Sequence, residues 1–216
     1  MNKLVSISLI FLSSLSFTQE NNSFVNYKWD LFRAVQGSIQ ISRETALNKR
    51  YSFSFGLIGT YASTRGLAKP YLKMQNFEYT EKSTNTIYTL SDVQAIGGGI
   101  NLQLRRYLGK KPTVGSGFYL TPEVFYRFLN LESEVLIPKT TINKTVNRTL
   151  KLGYLGYSIG YQKIYREMLS IDSYVGGGFF MSKYEDQDGF TRFRNVYQID
   201  YTGFYLNMGV LIGIVK

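Results

Sequence analysis

Apolar and polar residues alternate at period two along most of this chain. In "GFYLTPEVFYRF", Gly117 to Phe128, one face carries Phe118, Leu120, Pro122, Val124, Tyr126 and Phe128, and the other carries Tyr119, Thr121, Glu123, Phe125 and Arg127. The pattern predicts eight strands, at about Val25–Arg33, Ser38–Ala46, Tyr51–Tyr61, Gln94–Leu108, Gly117–Leu129, Leu150–Lys163, Leu169–Phe180 and Tyr201–Val215. Their links alternate in length. "LNKR", "GKKPTVGS" and "IYREM" read as short turns and Gln36–Gly37 as a tight hairpin, whereas 62–93, 130–149 and 181–200 read as long polar loops. An even strand count with short turns on one side is the layout of an all-β, eight-stranded, antiparallel, up-and-down transmembrane β-barrel.

The sizes of the two faces decide which points outward. Phe204, Leu206, Met208, Val210, Ile212 and Ile214 form one apolar edge of the last strand, opposite Asn207, Gly209 and Gly213. Eight such edges would overfill the lumen of a barrel this narrow, so the bulky rows are expected to face hydrocarbon. Lys28, Asp30, Glu44, Arg105, Glu123, Arg127 and Asp172 then fall on lumen faces. Ionised groups there need partners, and opposite charges on neighbouring strands would make an ion-pair network that plugs the interior. Tyr51, Tyr61, Tyr107, Tyr126 and Tyr161 suit the aromatic girdles at the two interfaces.

Composition narrows the chemistry. The 216 residues contain neither cysteine nor histidine, against 18 tyrosines, 15 phenylalanines and 20 glycines. Disulfides, thiolate metal sites and histidine-dependent catalysis are thereby unavailable. Glu44 with Glu123 could in principle do acid–base work, but an interior ion-pair role fits the narrow lumen better, and neither an enzymatic activity nor a cofactor or metal is expected. The formal charge of +10 is dispersed along the chain, which argues against nucleic acid as a partner. The glycine triplets at 97–99 and 176–178 lack the lysine and helix of a phosphate loop. The sequons at Asn143 and Asn147 matter only in a eukaryotic secretory route. The opening "MNKLVSISLIFLSSLSFTQE" pairs an early lysine with an apolar run and small residues near position 18, so residues 1–18 read as a secretory signal peptide and 19–216 as one barrel domain.

The segments "GSIQISRETALNKRYSFSFGL", "GGGINLQLRRYL" and "GFYLTPEVFYRF" resemble the small outer-membrane β-barrel proteins of unknown function common in Bacteroidetes. In that family a strand ends in a glutamate before Ala-Leu and a short turn, matched here by Glu44, Ala46 and Leu47; Tyr107 and Gly117, Phe118 and Tyr119 match a second motif. The chain departs from many such barrels by ending in "IVK" in place of an aromatic residue. The resemblance implies an outer-membrane location with lipid as the surrounding partner. Two functions compete: a plugged barrel with a structural or surface-interaction role through the loops 62–93, 130–149 and 181–200, and a soluble, secreted, lipocalin-like carrier of a small apolar ligand. A small-solute channel is a third, requiring a lumen free of bridging charges.

Overall fold

The computed structural model describes residues 24–64, 66, 68–73, 78–81, 86–110, 113–136, 143–187, 189–191 and 198–216; the expected signal peptide lies outside them. The strands are β1 (Val25–Asp30), β2 (Ser38–Ala46), β3 (Tyr51–Ser63), β4 (Glu78–Glu81), β5 (Thr86–Tyr107), β6 (Gly117–Leu136), β7 (Asn143–Tyr165), β8 (Leu169–Tyr184) and β9 (Gly203–Val215), with short helices α1 (Leu31–Val35) and α2 (Lys69–Lys73). All but β4 form one antiparallel ring, because β1 pairs with both β2 and β9, and β3 pairs with β5. The short β4 pairs with the start of β5, outside the ring. The chain is therefore an eight-stranded up-and-down β-barrel.

Register fixes the shape of the barrel. Starting at Tyr27 and stepping through Arg43, Phe55, Leu102, Val124, Leu155 and Phe179, the ladder arrives at Phe204, whereas Tyr27 itself sits opposite Ile214 on the same strand. That stagger of ten residues tilts the strands by about 40°, the range of small closed barrels. Pro122 leaves a mark on the ladder: lacking an N–H, it sits where the β5–β6 pairing passes from Gln103↔Glu123 to Arg106↔Leu120.

The two faces divide as size requires. Tyr27, Trp29, Ile41, Phe55, Leu57, Ile100, Val124, Leu155, Val175 and Leu206 are exposed on the outer surface, while Ser42, Ser54, Asn101, Gln103, Thr121 and Ser158 are buried within. On β6 the outer apolar row runs from Phe118 to Phe128 and gives way at Asn130 and Glu132, which are exposed. At the rise and tilt of a barrel strand that row is about 25 Å tall, the height of a membrane hydrocarbon band. No described helix is long and apolar enough to cross a membrane.

Four details depart from the sequence-based expectation. The first strand ends at Asp30, not Arg33, and the expected hairpin at Gln36–Gly37 is the helix α1 followed by Gly37 at φ +73°, where a Cβ would press on Ala62 and Ala68. Asp30 itself stops the strand: its carboxylate accepts the backbone N–H groups of Phe32 and Arg33 and caps the helix. Segments expected as loops are instead sheet, since β5 begins at Thr86, β6 runs on to Leu136 and β7 starts at Asn143. Outside the band the outer face turns polar and the inner face becomes apolar: Ala95, Leu129, Leu131, Leu150, Leu152, Phe180 and Tyr184 build the main core there, joined by Leu72 and Ile199. Finally, Tyr107 is no girdle residue. It is fully buried and donates its hydroxyl to Glu44 at 2.7 Å.

Candidate functional site

The lumen at the end nearest the chain termini holds a compact charge cluster. Strands β1, β2, β5 and β8 contribute Lys28, Glu44, Arg105 and Asp172, none more than 1% exposed. Each points inward because it holds an inward place in its strand's alternation. Lys28 Nζ lies 2.6 Å from Glu44 Oε2 and 2.7 Å from Asp172 Oδ2, and Arg105 reaches Asp172 at 2.5 Å and Glu44 at 3.7 Å. Two cations thus face two carboxylates. Further hydrogen bonds support the ions: Tyr119 donates to Asp172 at 2.7 Å, Tyr107 and Ser52 donate to Glu44, and the amide oxygen of Gln162 accepts from Lys28 at 2.6 Å. Arg105 gives two further N–H groups to Gln103 and stacks 4.4 Å from the Tyr119 ring centre. Buried ions are tolerated only when paired and hydrogen-bonded in this way.

The other three charges expected in the lumen are buried there too, but apart from this cluster. Glu123 accepts side-chain amide protons from Asn101 at 2.5 Å and Asn207 at 2.8 Å. Arg127 donates to the hydroxyls of Ser38 at 2.9 Å and Thr60 at 2.8 Å. Asp30 faces α1, where it meets Arg33 Nε at 3.7 Å and accepts from Tyr174 at 3.3 Å. So four of the seven meet one another as ions, while the rest bond to amides, hydroxyls and a helix end, with Arg127 Nε left without a hydrogen-bond partner. Among the described residues Glu123 and Arg127 have amides and hydroxyls within hydrogen-bond distance and no opposite charge within ion-pair distance.

Strand alternation missed Arg33. A strand through Arg33 would turn it outward, whereas α1 turns it into the lumen, 7% exposed, with its guanidinium 5.0 Å from the Phe125 ring centre. The available signal was Asp30 directly before a five-residue segment free of glycine and proline, an N-cap pattern. Outside the apolar band, Arg148 makes a paired contact with Asp186 at 2.9 and 3.0 Å and covers the Tyr184 ring.

No family model matches the sequence, and no curated protein matches it. Among solved structures the chain is similar to the N-terminal β-barrel domain of Pseudomonas aeruginosa OprF, at 11% identity, covering 92% of this chain and 100% of that one with a TM-score of 0.36. The closed strand register, and not this likeness, defines the fold.

Proposed function

We propose that this protein is an integral outer-membrane barrel whose interior is sealed by the cluster of Lys28, Glu44, Arg105 and Asp172, and whose role is structural or adhesive, through the sheet end far from the termini. The observation that carries this reading is the reversal of faces: aliphatic and aromatic rows are exposed around the ring while ionised groups are buried inside it. Lipid of the outer membrane is then the solvent of the outer wall, and the segments 62–93, 130–149 and 181–200 meet any partner outside the cell. Residues 1–18 act as the export signal. The same reversal counts against a lipocalin-like carrier, which needs a polar outside and an apolar lumen. An ion-conducting channel is disfavoured by Lys28 and Arg105 bridging across the lumen.

The test is fractionation and conductance. The protein should sediment with outer membranes, partition into detergent, and migrate faster on a gel when left unheated. In planar bilayers it should give no regular conductance steps. A chain that stays monomeric in detergent-free buffer would overturn the membrane reading, and reproducible steps would overturn the seal.

A further inference from the structure

The ladder is broken on one side of the ring. β9 pairs with β1 only over Leu211–Val215, while its preceding residues back to Gly203 pair with β8 alone. β1 stops at Asp30 and β2 resumes only at Ser38, so α1 fills the break, touching β9 and β2. Its Phe32 and Val35 are exposed, on the outside of the wall. Lys216 exchanges both backbone hydrogen bonds with Val25, so alternate residues of β9 aim N–H and C=O toward β1. At Leu206 and Met208 no strand among the described residues stands there to receive them. Within a bilayer such an edge persists only against protein or a polar cavity.

A cavity of about 330 Å³ lies at this break. Its lining changes character with depth. Phe32, Leu206 and Met208 belong also to the exposed outer surface, whereas Arg33 and Arg127, behind them, are 7% and 6% exposed. The Nε atoms of both arginines are buried and have no hydrogen-bond partner. Arg127 has no carboxylate within ion-pair distance among the described residues, and its charge is opposed by that of Arg33. Asp30 supplies the lining's one carboxylate for two guanidiniums. An excess positive charge, unspent donors and a greasy doorway thus coincide. An anion with an apolar tail satisfies all three, since a carboxylate takes forked N–H groups from arginine.

We propose that this seam binds an anionic single-chain amphiphile, an acyl chain ending in a carboxylate, which enters sideways from the bilayer, seats its head between Arg33 and Arg127, and lays its chain against Phe32, Leu206 and Met208. Sideways entry rests on the membrane reading given above, while the head-group contacts do not. The volume is at the small end of ligand pockets, enough for a head and the first part of a chain, with the remainder left in lipid.

The experiment is equilibrium dialysis of labelled dodecanoate against the folded full-length barrel in a non-ionic detergent. One dodecanoate should bind per chain, and dodecanol and acetate should compete at least about tenfold less well than unlabelled dodecanoate, because each lacks either the charge or the chain. Arg127→Gln and Arg33→Gln should each weaken binding about tenfold, whereas Lys151→Gln, far from the seam, should leave it unchanged. Heat-modifiable migration checks that each variant is folded, and if the arginine variants are not, the comparison of acid with alcohol on the unaltered chain decides. Equal competition by dodecanol, equal competition by acetate, or folded glutamine variants that bind normally would each overturn the proposal. A barrel that stayed soluble without detergent would refute the membrane reading separately, and dodecanoate binding would still be measured in plain buffer.

Discussion

Replacing Lys28 by methionine isolates the energetics of the charged lumen. The side chain is 1% exposed, and its ammonium group touches Glu44, Asp172 and Gln162 at 2.6, 2.7 and 2.6 Å. Methionine fills most of the space, so the change is mainly one of charge. Arg105 then faces two carboxylates alone, and one buried negative charge is left uncompensated. Removing one partner from a buried ion pair costs about 3–5 kcal/mol, so Lys28→Met should destabilise the barrel by that amount. Adding Glu44→Gln restores neutrality while preserving the 2.5 Å contact of Arg105 with Asp172. The double variant should therefore be more stable than Lys28→Met alone, by about 1–3 kcal/mol of coupling. Reversible urea unfolding in lipid vesicles, followed by fluorescence of Trp29, the single tryptophan, reads both values directly. A cost below about 1 kcal/mol for Lys28→Met, or no recovery in the double variant, would refute the claim that charge balance holds this end of the lumen together.

Further outcomes are expected elsewhere in the wall. Leu155→Arg puts a cation on the outer face, between Val124 and Phe179 in register, and should cost about 2–4 kcal/mol in the same unfolding assay. Two glycines of the wall should respond in opposite ways: Gly97→Val drives a side chain into the backbone carbonyl of Phe128 and should abolish folding, whereas Gly59→Val, with open space around its Cβ, should fold and show the usual heat-modifiable band. Asp30→Ala removes the cap of α1, worth about 1 kcal/mol, and also leaves the buried Arg33 guanidinium without its carboxylate, so the total cost should exceed about 1 kcal/mol, with faster proteolysis near Leu31 in limited digestion. Beyond the apolar band, the hydrogen bond from Lys151 and then its charge hold the Glu185 carboxyl below its usual range. That depressed value means a small contribution to stability present above the ordinary carboxylate range and lost as pH falls through the folded value. Carbon-detected NMR titration should show Glu185 returning to the ordinary range in Lys151→Ala.

The alternation of side chains along each strand was enough to define an all-β barrel and to say which residues face in. That is because facing is a local property: consecutive Cβ atoms on a strand point opposite ways whatever the rest of the chain does, and the bulk of Phe, Leu and Ile excludes them from a narrow lumen. Lys28, Asp30, Glu44, Arg105, Glu123, Arg127 and Asp172 were all legible as inward-facing for this reason, and all are buried. Which of them touch was not legible. Contact across the lumen depends on the ten-residue stagger, a sum of registers around the whole ring, and no single strand carries that information. The stagger brings Lys28 to Asp172, 144 residues away, and leaves Arg127 among hydroxyls. Two local features also escaped the pattern. A five-residue helix is too short to show a period of its own, so α1 and its inward Arg33 read as strand, and the hairpin of β6 and β7 continues past the point where its outer face turns polar. In both places the decision belongs to tertiary structure: α1 is held by β9 and β2, and the extended hairpin by an apolar core that only the closed ring assembles.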